Sequence, residues 1–100
     1  MNPFPDVNQA DSISNRSASE TKAILVIAHI ASDQALRDRF LDLSGVTPAE
    51  LRAGVETEAV QMAALDFLAG HEPDLIACAG ALGVRPEDLM DARNMLGATT

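Results

Sequence analysis

The sequence predicts an all-α domain: a compact six-helix bundle built as two pseudo-equivalent three-helix units joined by Gly-Val-x-Pro corners. Three observations predict it. Apolar residues recur at helical spacing through most of the chain after residue 16. Single glycines and prolines separate those stretches at positions where helices stop and start. Only one stretch is rich in β-branched residues, and a lone strand would leave its backbone unpaired.

Residues 1–16, MNPFPDVNQADSISNR, carry two prolines, four Asn or Gln residues and no apolar period, the composition of a disordered tail. Phe4, between the prolines, reads as part of that tail rather than as a docking residue. The domain is expected over residues 17–97. Its first helix is expected to start at Ser17, where Ser17-Ala18-Ser19-Glu20 has the spacing of a capping box. Lys22 to Ala31, KAILVIAHIA, is apolar almost all round, which predicts a central helix enclosed by the others.

A second helix is predicted from Ser32 or Asp33 to Ser44. Leu36, Phe40 and Leu43 make one stripe, and Asp33 and Arg37 form an i,i+4 pair outside it. Gly45 ends this helix as a left-handed cap, with Val46 as the hydrophobic contact beyond. Thr47-Pro48-Ala49-Glu50 opens a short third helix with an N-cap, a proline at the first position and a closing Glu, turning Leu51 and Val55 inward. A fourth helix, from about Thr57 to Ala69, buries Val60, Ala64, Phe67 and Leu68 and ends at Gly70. A fifth, opened by Pro73 and stopped by Gly83, turns Leu75, Ala79 and Leu82 inward. A sixth, opened by Pro86 and ending at Gly97, turns Leu89, Ala92 and Leu96 inward.

The heptapeptide from Gly45 to Leu51 recurs from Gly83 to Leu89, 38 positions on, in register with the flanking helices. That recurrence is the basis for two pseudo-equivalent units. Two units of this period close on each other more readily than they form a solenoid, which needs about three.

Net charge constrains partners. The chain carries seven basic and fifteen acidic residues, net -8. Residues 1–55 hold seven acids and five bases; residues 56–100 hold eight acids and two bases. Such a chain repels bare duplex DNA and anionic membranes, because phosphate binding needs Lys and Arg. A protein docking on the C-terminal half is expected to be basic. The bland alternative is that the charge only keeps a small protein soluble. With Phe40 and Phe67 as the aromatics outside the tail, the core is aliphatic. A domain of about 80 residues buries only about 60% of its unfolded surface, so modest stability is expected unless the chain forms a homodimer. The run Ala23 to Ala28 is far short of the ~20 residues that span a bilayer, and no signal-peptide pattern precedes it, so a cytoplasmic location is the default expectation.

Ala81 to Leu89 resembles the turn of a helix-turn-helix. The following helix opens Pro86-Glu87-Asp88 and adds Asp91, aiming carboxylates where phosphates and base edges would lie, with only Arg85 and Arg93 as nearby bases. Nucleic-acid association is therefore the lesser alternative. Cys78, alone and between Leu75 and Ala79, reads as a small buried hydrophobe rather than a nucleophile, and it has no disulfide partner. His29 lies in the apolar first helix and His71 in a Gly-His-Glu-Pro turn; neither has a paired metal-ligand spacing. Glu56, Glu58, Glu87, Asp88 and Asp91 complement helix dipoles. No glycine-rich phosphate loop exists, and nothing assembles a nucleophile, a base and an oxyanion donor. No catalytic, cofactor-binding or metal residue is therefore assigned, no cofactor is expected, and the chain is read as other than an enzyme. An enzyme with an unrecognised site is the second alternative.

Asp42-Leu43-Ser44-Gly45-Val46-Thr47-Pro48-Ala49-Glu50-Leu51-Arg52, then Leu65 to Glu72, then Ala92 to Gly97, occur in order at a spacing that resembles a small bacterial family, the domain of unknown function three-five-seven-two. The resemblance spans about residues 23–97. It implies a short helical cytosolic protein and brings no catalytic residue or ligand. Cys78 stands where that pattern has an aromatic, and the first helix is richer in β-branched residues. The functional expectation is a protein–protein interaction or regulatory adaptor module.

Overall fold

A computed structural model describes the backbone of residues 7–97 and the side chains of residues 16–97. The expectations for Phe4 and the rest of residues 1–6 lie outside the described residues. Among those described there are six α-helices and no strand: α1 (Val7–Ser32), α2 (Gln34–Ser44), α3 (Pro48–Ala53), α4 (Glu58–Ala69), α5 (Glu72–Leu82) and α6 (Pro86–Gly97).

Helix α1 is the central element. Ala23, Val26, Ile27 and Ile30 are buried, and α2, α4, α5 and α6 pack around it, α6 most extensively. The helix starts ten residues before Ser17. Residues 7–16 contain no glycine or proline, so nothing forces the chain out of helix there. The Ser-x-x-Glu spacing falls inside α1, where the Ser17 carbonyl accepts the Thr21 hydroxyl at 3.0 Å. Enclosure is also incomplete: Leu25 is 45% exposed.

Asp33 stops α1 and starts α2. Its backbone is extended and its carboxylate accepts the Leu36 N–H at 3.0 Å. This use displaces the expected Asp33–Arg37 pair; Arg37 instead donates to the Ala31 carbonyl at 3.2 Å. Leu36 and Phe40 enter the core, and Phe40 meets Phe67 edge-to-face, with ring centroids 5.5 Å apart. Leu43 departs from the expected stripe. It is 61% exposed, on the lip of a hollow over Phe67 and His71.

The turns follow the capping chemistry. Gly45 and Gly83 both have positive φ, 77° and 71°, where a Cβ is costly. Thr47 and Glu50 form the reciprocal capping box that opens α3, and Thr57 caps α4. The corners nevertheless close differently. Val84 N–H reaches the Ala79 carbonyl at 3.0 Å in a Schellman arrangement, whereas Val46 N–H bonds to the Ser44 hydroxyl at 3.1 Å. The helices beyond the corners are not counterparts either. Helix α6 packs along α1, α4 and α5, while the six-residue α3 makes only slight contact with any other helix. Capping chemistry repeats; the packing of the two units does not.

Candidate functional site

The slight packing of α3 leaves a cleft of about 560 Å³ between α1, α2 and α3. Helix α1 lines it with Ile24, Ile27, Ala28 and Ala31, at i, i+3, i+4 and i+7. The opposite wall is Pro48, Leu51 and Arg52 of α3 and Val55 of the turn after it. Arg37, Asp38 and Leu41 of α2 complete it. A shallower hollow of about 550 Å³ continues past Asp38, Leu41 and Pro48 to Asp42, Val46 and Thr47. Sequence reading does not find this cleft. It turns Leu51 and Val55 toward the core; Leu51 is buried there as expected, and Val55 is half-buried, packed on the core's edge.

Charge around the cleft is organised. Arg16 pairs with Glu20 and Glu58, Arg39 with Asp74, Arg85 with Asp88 and Arg93 with Asp66. Among the described residues, three Lys or Arg side chains have no carboxylate within ion-pair distance: the two cleft arginines, Arg37 and Arg52, and Lys22, which shares a hollow with Asp88 and Asp91 away from the cleft. The Ala31 carbonyl at the end of α1 holds Arg37 at the mouth.

The residues weighed for chemistry do not converge. His29 lies half-buried in the last turn of α1. His71 is at the N-cap of α5 without capping it; its ring stacks on Phe67 at 4.7 Å, and Nδ1 donates to the Phe67 carbonyl at 2.8 Å. A carbonyl only accepts, so Nδ1 carries the proton. Ser44, Asp66 and His71 share a hollow of about 470 Å³, but no hydrogen bond links them. Ser44 Oγ accepts the Val46 N–H and Asp66 holds Arg93. No side chain there activates the serine.

Cys78 is fully enclosed, and burial pushes its thiol up to about 11, so at neutral pH it is a packing residue. No three potential metal-ligating side chains cluster among the described residues. At the helix-turn-helix-like corner, Asp88 accepts both the Arg85 N–H, at 3.0 Å, and its guanidinium, at 3.1 Å. The guanidinium holds Asp88 below the usual carboxylate range. Both arginines near α6 are thus engaged by carboxylates of this chain. No described helix is long and apolar enough to cross a membrane.

Neither the curated proteins nor the solved structures contain a match to this chain. A family model does match, over residues 16–99, from Arg16 within α1 through all of α6. That span contains every element that builds the cleft, and the chain belongs to the family described as Protein of unknown function (DUF3572).

Proposed function

We propose that this chain is a protein–protein interaction module that docks a partner in the cleft between α1, α2 and α3. The observation that carries the reading is the cleft: an apolar hollow lined by Ile24, Ala28, Ala31, Leu41, Pro48 and Val55, each half-buried or exposed among the described residues, together with buried Ile27 and Leu51. Exposed Leu25 extends the apolar surface along α1. Clefts of roughly 300–1,000 Å³ with mostly apolar walls and few charged groups are the usual form of binding sites. The separation of Ser44, Asp66 and His71, and the burial of Cys78, favour binding over catalysis. The carboxylates engaging Arg85 and Arg93 favour a protein partner over nucleic acid. The net charge of -8 favours long-range approach of a partner that is basic overall. The partner's short-range contacts are set by the cleft.

Affinity capture from the cells that make the protein tests the reading, with the wild-type chain run beside Ala28→Phe. Ala28 is exposed on the cleft wall, so the larger side chain fills the cleft without entering the core. The expected result is a stoichiometric partner held by wild type and lost by the variant. A partner held equally by both would place docking elsewhere.

A further inference from the structure

Resting on that docking reading, we infer that the segment received by the cleft is an amphipathic α-helix with Asp or Glu residues at one end, which meet Arg37 and Arg52.

The helical form follows from the walls. Ile24, Ile27, Ala28 and Ala31 of α1 form one helical stripe at i, i+3, i+4 and i+7, with Ile27 buried; Pro48, Leu51 and Arg52 of the short α3, and Val55 of the turn after it, line the other side. A partner helix seats against such a stripe with its own i, i+3, i+4 and i+7 anchors. Ala28 and Ala31 are small enough for close approach. The shallower hollow beyond Asp38, Leu41 and Pro48 lengthens the groove along α2 and α3, which suits a rod more than a compact ligand.

The acidic end follows from charge. Fifteen acidic residues outnumber seven basic ones in this chain, yet the two arginines without an ion-pair partner among the described residues are the two on the cleft. Arg37 spends one N–H on the Ala31 carbonyl, and a guanidinium has five in a planar fork that matches a carboxylate. Asp38 lies beside Arg37 in sequence and lines the same cleft, and Asp42 belongs to the adjoining hollow. Carboxylates on the partner are therefore drawn to Arg37 and Arg52 and turned away from Asp38 and Asp42. A helix with acidic residues in its first turn has the charge order that its own dipole favours.

The test uses the full chain and two labelled synthetic helices with the same Leu/Ala stripe. One is flanked by Glu, the other by Lys. Fluorescence anisotropy gives their affinities for wild type, Arg52→Glu and Ala28→Phe, with circular dichroism confirming that each variant keeps its helix content. Arg52 is exposed and makes no hydrogen bond among the described residues, so its reversal leaves the fold intact. The expected result is saturable binding of the Glu-flanked helix, weakened by about three- to tenfold in Arg52→Glu, and lost in Ala28→Phe. Equal affinity for both helices, unchanged in Arg52→Glu but lost in Ala28→Phe, overturns the acidic end and leaves docking in the cleft standing. Binding of either helix that survives Ala28→Phe overturns both readings, and absence of binding by both helices overturns the inferred occupant. Decanoate is titrated in parallel. If decanoate saturates the cleft and neither helix does, the site belongs to a small amphiphilic acid and the helix is overturned.

Discussion

Gly54 separates two reasons for which a protein keeps a glycine. Its φ of -108° is accessible to any residue, so no conformational strain attaches to replacement. A Cβ built there meets the Glu50 carbonyl oxygen at 2.6 Å, Val60 Cγ2 at 2.7 Å and the Thr57 hydroxyl at 3.0 Å. Ordinary contact begins near 3.4 Å, so α3 and the start of α4 must part by most of an ångström. Overpacking of this kind costs about 1–3 kcal/mol, offset in part by the reduced freedom of the unfolded chain, about 0.4–1 kcal/mol. Gly45 is the opposite case. Its φ is 77°, and an added Cβ meets nothing within 4 Å; only left-handed strain opposes replacement, about 1–2 kcal/mol. Asparagine tolerates that region better than alanine. The two sites should therefore order their substitutions in opposite senses. At Gly45, Asn is milder than Ala; at Gly54, Asn is worse than Ala. Urea unfolding followed by circular dichroism reads this directly. With a slope of about 1 kcal/mol per molar for a domain of this size, Gly54→Ala lowers the midpoint by roughly 1–2 M. The same order of Asn and Ala at both sites would refute the reasoning.

On α2, Phe40→Ala should cost about 3–5 kcal/mol and leave the domain largely unfolded, while Leu43→Ala, one turn away but 61% exposed, should stay within about 0.5 kcal/mol by the same denaturation. The Cys78 thiol should resist a disulfide reagent at pH 8 until the chain unfolds. Its proton is held more tightly folded than unfolded, so the stability it contributes is complete below pH 9 and is lost as pH rises towards about 11. A wild-type minus Cys78→Ala difference that is flat over that window would contradict the burial. Thr47→Ala should remove one side of the box that opens α3 and cost about 1 kcal/mol, measured as a shift in thermal midpoint.

The sequence was most legible where function of a residue is local. Thr47, Gly45 and Gly83 cap or stop helices because each acts on backbone groups within four residues of itself. It misled where a local pattern had a competing use. The Ser17 box lies inside α1 because no upstream residue breaks the helix, and Asp33 serves the backbone of α2 instead of Arg37. Leu43 has the period of a core residue, but no element covers the last turn of α2. The recurrence of the Gly-Val-x-Pro corner fixes φ at its glycine but says nothing of what the next helix touches, which is how α3 and α6 come to pack so differently. The cleft was illegible for the same reason. Leu51 is buried as its spacing indicates, but spacing does not show that it lines a hollow with Ile24, Ala28 and Val55, and Arg37 and Arg52, fifteen positions apart, share a site only through the fold.

The most direct test of the docking account is backbone amide chemical-shift mapping of the full chain titrated with the Glu-flanked helix. The account predicts saturable shifts concentrated at Ile24, Ala28, Leu41, Leu51 and Val55, with none of comparable size at Glu87, Asp88 or Asp91 on α6. Shifts centred on α6, or none at these cleft amides when the helix is in large excess, would contradict it.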